Sequence, residues 1–170
     1  MFLRACAILL LVGVGCRTAP ASHPVDRAQL AKLERSVDSE GKPVGTTRGA
    51  TLVIVFASWC PHCHEELDIL TKLRPAFPSL RVLGINYKGH EEYGKRGNAD
   101  AVKQYVAKHA PWLRVVPADD ALFMALGQPP KIPTLYVYDR DGALVQVYSR
   151  TERAMPDADE LRELFRRIGA

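Results

Sequence analysis

The run TLVIVFA at residues 51–57 is apolar and β-branched, with no alternation of polarity. That pattern marks a central strand buried on both faces, which requires helices above and below the sheet. The chain then passes through Ser58-Trp59-Cys60 to Pro61, a residue suited to the first turn of a helix. Leu67, Leu70, Leu73 and Phe77 recur at helical spacing, and Pro75 and Pro78 mark the end. LRVLGINY (80–87) is the next strand, followed by the charged, Gly-bearing loop KGHEEYGKRG. Asn98 can cap a helix that carries Ala101, Val102, Tyr105 and Val106 on one face. LRVVPA is short and extended. Asp119 can cap a further helix, which Gly127 closes. Residues 134–148 read as two strands joined by a turn at Asp139–Gly142. Asp157 and Glu160 form a D-x-x-E start for a last helix, with Leu161, Leu164, Phe165 and Ile168 facing inward. AQLAKLERSV (28–37) is compatible with a short helix or a strand, and Gly41 sits at a turn. Strands alternating with helices predict a parallel core, and the late hairpin adds antiparallel strands. The expected class is α/β, with a mixed central β-sheet flanked by helices.

A length of 170 residues fits one domain. The net charge is only +4, and no basic run carries interleaved aromatics, so nucleic acid is not an expected partner. The N-terminus stands apart. MFLRACAILLLVGVGC has Arg4 and then an uninterrupted apolar and small-residue stretch, shorter than the roughly 20 residues of a spanning helix. It fits a signal peptide over residues 1–16. LVGVGC resembles a lipoprotein lipobox in which Cys16 would become lipidated. The rival is A-x-A cleavage at Ala19-Pro20-Ala21, and both routes stay open at this stage. Residues 17–33 are expected to be a tether and residues 34–170 the folded domain. Processing would leave Cys60 and Cys63 as the two cysteines of that domain, too few for a disulfide-stapled scaffold.

The start of a helix leaves backbone N–H groups unpaired and carries the positive end of the helix dipole. Both favour a thiolate at Cys60. Cys63, three residues on, shares its face, with Cβ atoms about 5–6 Å apart. A disulfide needs about 3.5–4.5 Å, so the bond forms with a small tightening of the first turn. Cys60, nearer solvent, is the expected attacking sulfur, and Cys63 the resolving one. His62 between them would favour the Cys60 thiolate, unless it is simply exposed. Zinc usually needs four ligands, and no second C-x-x-C or H-x-x-x-H completes a set with His62, His64 or His90. A structural disulfide closing so short a loop would contribute little.

F-x-x-W-C-P-x-C after a β-rich strand resembles the thioredoxin superfamily. A second signature is Lys131-Ile132-Pro133-Thr134 before a strand, which is similar to the cis-proline segment of that fold. The resemblance implies a cis Ile132–Pro133 bond beside the dithiol, and a backbone there that can pair with a substrate strand. Asp38, Gly41, Lys42, Val44 and Arg48-Gly49, then the strand into Trp59-Cys60, resemble the TlpA/ResA-like branch of exported thiol-disulfide reductases. Glu66, three residues after the second cysteine, matches that branch too. Catalytic roles are therefore expected for Cys60 and Cys63. Trp59, Pro61, His62, Glu66, Ile132 and Pro133 are expected to shape the site. Two departures concern the direction of electron flow. Pro61-His62 is the inner dipeptide of DsbA-like oxidases. Ile54 stands where thioredoxin carries a buried acid, which leaves proton transfer at Cys63 to another group, Glu66 or water.

The leading expectation is an exported enzyme on the periplasmic side of the cell envelope. It would reduce protein disulfides there through a mixed disulfide on the CPHC dithiol, recharged by a membrane electron donor. No cofactor is expected, and a lipid anchor holds it to the membrane if Cys16 is lipidated. The alternatives are a DsbA-like thiol oxidase and a copper-binding thioredoxin-like module. The second would want a CxxxC pair. A peroxidase would want Thr where Ala57 stands. His64 and His109 are expected on helix surfaces, and His90 in a solvated or partner-docking loop.

Overall fold

A computed structural model describes residues 24–151 and 154–170. The leader, Cys16 and the first residues of the expected tether lie outside the described residues. The elements are α1 (Pro24–Glu34), β1 (Thr51–Phe56), α2 (Pro61–Leu73), β2 (Arg81–Tyr87), α3 (Lys88–Glu91), α4 (Ala99–His109), β3 (Arg114–Ala118), α5 (Asp120–Ala125), β4 (Thr134–Tyr138), β5 (Leu144–Ser149) and α6 (Ala158–Arg167). The sheet order is β3-β2-β1-β4-β5. β1 runs parallel to β2, and β2 to β3. β4 is antiparallel to both β1 and β5.

Every residue of β1 is buried. Its alternation divides two cores: Leu52, Ile54 and Phe56 pack with α2 and α6, while Val53 and Val55 pack with α1 and α5. The three expected caps form. Asn98, Asp119 and Asp157 accept backbone N–H groups three residues on, at 2.9, 2.7 and 2.8 Å. Gly127 closes α5 with φ +80°, a region that only glycine enters without strain. The first expected motif is a turn: Asp38 accepts from the N–H groups of Glu40 and Lys42, and its carboxylate meets Arg114 of β3 at 2.6 Å.

Two expectations change. Leu30 and Leu33 of α1 are buried in the second core, so the tether does not reach residue 33 and the packed domain starts within α1. Burial of these two leucines provides the helical stability that an isolated turn or two would lack. The charged loop at 88–97 begins with α3, continues as a 3-10 turn over Tyr93–Lys95, and buries Glu91. None of the helices among the described residues is long and apolar enough to cross a membrane.

Candidate active site

β1 ends at Phe56, and three residues carry the chain to Cys60, the N-cap of α2. Cys60 is extended (φ −86°, ψ 109°), which aims its sulfur back across the first helical turn. Pro61 follows at the helix start, where its missing N–H costs nothing. The Cys60 sulfur accepts the Cys63 N–H at 3.3 Å. It also lies 3.9 Å from the Ile132 carbonyl oxygen, the residue preceding Pro133. The Ile132–Pro133 bond is cis, and Thr134 Oγ1 donates to the Lys131 carbonyl at 2.8 Å to brace the segment. The structure therefore brings together Cys60, Cys63, Ile132 and Pro133 from distant parts of the chain, with both cysteines buried and free.

The two sulfurs have opposite acidity. Hydrogen bonding from the Cys63 thiol is the largest influence lowering Cys60. Burial opposes it, and the Cys63 N–H, the His62 charge and the His62 N–H add to the lowering. The net result holds Cys60 at about 7. Burial, and then the neighbouring Cys60, pushes the Cys63 thiol far up, so it stays protonated. Glu66 is the second acid of the site. It is 4% exposed, its Oε2 has no hydrogen-bond partner, and burial followed by the nearby Glu65 pushes it up to about 7. His62 is exposed, with Nδ1 3.1 Å from the Glu65 carboxylate. His62, Glu65, Glu66, Arg150 and Met155 line an open cavity of about 550 Å³.

Behind the dithiol stands a support that sequence reasoning missed. Glu91 accepts the Ser58 N–H at 2.9 Å, the Ser58 hydroxyl, and the Asn86 amide at 2.8 Å. Trp59 Nε1–H donates to the carbonyls of His90 and Glu91, at 3.1 and 2.8 Å. His64, expected on a helix surface, is half-buried. It stacks on Tyr105 with centroids 4.3 Å apart, and its Nε2–H donates to the Ser58 carbonyl at 2.7 Å. His109 does lie exposed, and it too stacks on Tyr105, with centroids 5.1 Å apart. His90 is packed edge-on against Tyr87 and Phe123 rather than solvated, and burial lowers its pKa. Nothing in the residue pattern distinguishes Glu91 from the exposed Glu92 beside it, because its partners lie up to 33 positions away. Gly97 closes the support: a Cβ there would collide with Glu91 Oε1 and lie 3.1 Å from Trp59. Among the described residues, no group of three or more His, Cys, Asp and Glu is placed to hold a metal ion.

No protein-family model matches the chain. A stretch of 115 residues is 34% identical to a thiol:disulfide interchange protein DsbE of Pseudomonas aeruginosa, covering 67% of this chain and 54% of that protein. The chain thus spans about half the length of that relative. The fold is similar to a secreted Mycobacterium tuberculosis disulfide oxidoreductase homologous to Escherichia coli DsbE. The TM-score is 0.63 at 21% identity, over 82% of this chain and 97% of that one. It is also similar to a thioredoxin-family thiol:disulfide interchange protein from Chlorobium tepidum, with a TM-score of 0.65 at 21% identity, over 79% of this chain and 92% of that one.

Proposed function

We propose that this chain, which is similar to thioredoxin-fold proteins of the TlpA/ResA/DsbE kind, is an exported oxidoreductase that reduces protein disulfides in the cell envelope. The observation that carries this reading is the split acidity of one dithiol: Cys60 held at about 7, Cys63 held protonated. At neutral pH such a pair has one nucleophile ready and one in reserve.

The Cys60 thiolate attacks one sulfur of a partner's disulfide. The partner's other sulfur leaves as a thiolate and takes up a proton. Cys63 then gives up its proton and attacks the Cys60 sulfur, releasing the partner's second thiol. The partner gains two electrons and two protons, and the protein is left as the Cys60–Cys63 disulfide. Glu66, one turn further along α2 and partly ionised near neutrality, is suited to receive the Cys63 proton. The Ile132 carbonyl offers an acceptor beside the sulfur for a substrate backbone N–H. A membrane dithiol donor would restore the reduced state. The apolar leader supports export, and Cys16 supplies the anchor if lipidated, which membrane fractionation of the full chain would test.

The direction rests on acidity. A lower thiolate pKa stabilises the reduced form and makes the pair more oxidising. A Cys60 value of about 7 matches the thioredoxin thiol (about 7) rather than DsbA (about 3.5). The opposing observation is the Pro61-His62 dipeptide, whose His62 contributes to the lowering. Equilibration with a dithiol buffer decides between them. A potential near about −270 mV supports the reductase, and one near about −120 mV reverses the direction to thiol oxidation. A Cys63→Ser variant should accumulate a mixed disulfide with its partners through Cys60, and its failure to do so would remove the proposed chemistry.

A further inference from the structure

The Arg96 guanidinium carbon lies 4.9 Å from the Trp59 ring centroid and 5.7 Å from that of Tyr93. Stacking engages the faces of a guanidinium and leaves its N–H donors, which lie in the plane, available. No hydrogen bond or ion pair to another described residue uses those donors. Of the acidic residues within five positions, Asp100 makes no ion pair with Arg96, and the other two are committed elsewhere. Glu91 is buried on Ser58 and Asn86, and Glu92 faces Lys88 at 3.8 Å. Arg96 is also held in place. Trp59 is fixed by two backbone carbonyls, and Gly97 packs directly against Trp59 and Glu91. Tyr93, three residues before Arg96 in a tight 3-10 turn, is 65% exposed beside it. Trp59 adjoins Cys60 in the chain, so this cation stands at the border of the dithiol. Lys131, exposed next to Ile132, adds a second cation with no ion pair to another described residue.

We propose that Arg96, stacked on Trp59, is a docking point for partner proteins that carry Asp or Glu close to the disulfide being exchanged, with Lys131 beside Ile132 as a second cation. This deepens the thiol-disulfide reading and rests on it. The carboxylate takes in-plane N–H donors of Arg96 while the adjacent cysteine sulfur meets Cys60. The electron and proton transfers are those already described.

The test uses three synthetic peptides with the same intramolecular disulfide and a Glu, Gln or Lys beside one cysteine. The reduced protein is recycled by dithiothreitol, and kcat/KM is measured for each. The Glu peptide is expected to exceed the Gln peptide about fivefold at low salt, the upper range for an exposed ion pair. The Lys peptide should be slowest, and the spread should shrink toward unity at high ionic strength. In Arg96→Gln the Glu-to-Gln ratio should fall below about twofold, with Arg96→Lys between, because lysine lacks the planar fork. Comparing ratios within each variant separates charge recognition from any general loss of rate. Equal rates for the three peptides, or an Arg96→Gln ratio equal to the original, would overturn the assignment while leaving the exchange chemistry intact. No reduction of any peptide would overturn both. If Arg96→Gln fails to fold, Arg96→Lys decides: a Glu-to-Gln ratio equal to the original there would overturn the assignment.

Discussion

Cys60 stands at about 7 because hydrogen bonds to its sulfur outweigh burial, whereas Glu66 reaches about the same value because burial disfavours its carboxylate. The two have opposite consequences for the reduced fold. Glu66 has a raised folded pKa, so the native state holds its proton more tightly than the unfolded chain. Its favourable contribution is complete below about 4.5 and is lost as pH rises to about 7. Replacing it by glutamine should leave stability unchanged at pH 4 and raise it at pH 8 by about 3 kcal/mol. The same substitution should lengthen the lifetime of the mixed disulfide, since Cys63 loses its nearby proton acceptor. Urea unfolding of the reduced protein at both pH values, with quenched-flow trapping of the mixed disulfide, checks the pair of effects. Cys60 has a depressed folded pKa, so its contribution is present above the unfolded thiol value and is lost as pH falls through about 7. Its alkylation by iodoacetamide should follow a single ionisation with a midpoint near 7, and a midpoint above 8 would mean that the Cys63 N–H and thiol do not act on it.

At the scale of elements, the short α3 helix has an influence out of proportion to its length. Through Glu91 and two carbonyls it fixes Ser58 and Trp59, the two residues leading into Cys60. Truncating Glu91 to alanine would leave the Ser58 N–H and one of the two Asn86 amide hydrogens without an acceptor, the other still donating to the Phe56 carbonyl, a cost of about 3 kcal/mol. With the loop freed, the alkylation midpoint of Cys60 should rise. Gly97→Ala should reproduce both effects, because its Cβ displaces the Glu91 carboxylate. Thermal unfolding together with alkylation-rate profiles tests this. Loss of stability without movement of the Cys60 midpoint would make Glu91 a packing residue alone. The contrast with what sequence reveals is instructive. Asn98, Asp119 and Asp157 were readable as caps because each satisfies an N–H only three residues away. Trp59, Cys60, Cys63 and Pro133 were readable from local motifs. Glu91 was not, because its role depends on where the ends of β1 and β2 bring Ser58 and Asn86. For the same reason Leu30 and Leu33 look like tether residues in the sequence, since nothing near them in the chain shows the sheet face that covers them.

For the molecule as a whole, the reduction potential expresses how much better the fold accommodates the dithiol than the disulfide. It therefore inherits the acidity of both sulfurs. Below the Cys60 pKa, reduction takes up two protons with two electrons, and the potential should fall by about 59 mV per pH unit, twice the 29.6 mV that a tenfold change is worth for a two-electron couple. Above about 7 the reduced protein keeps Cys60 as a thiolate and takes up one proton, so the slope should halve to about 30 mV. Burial holds Cys63 protonated, so no second break should follow at moderately alkaline pH. The measurement is the equilibrium potential at half-unit steps from pH 5.5 to 9.5 in a dithiol buffer of known potential. A break near 7 in the unaltered protein that persists in Glu66→Gln assigns it to Cys60. A break that disappears in Glu66→Gln assigns it to the carboxylate instead. An unbroken steep slope to pH 8.5 would mean that the start of α2 gives Cys60 no special acidity, and the reductive chemistry would then have to begin from an ordinary thiol.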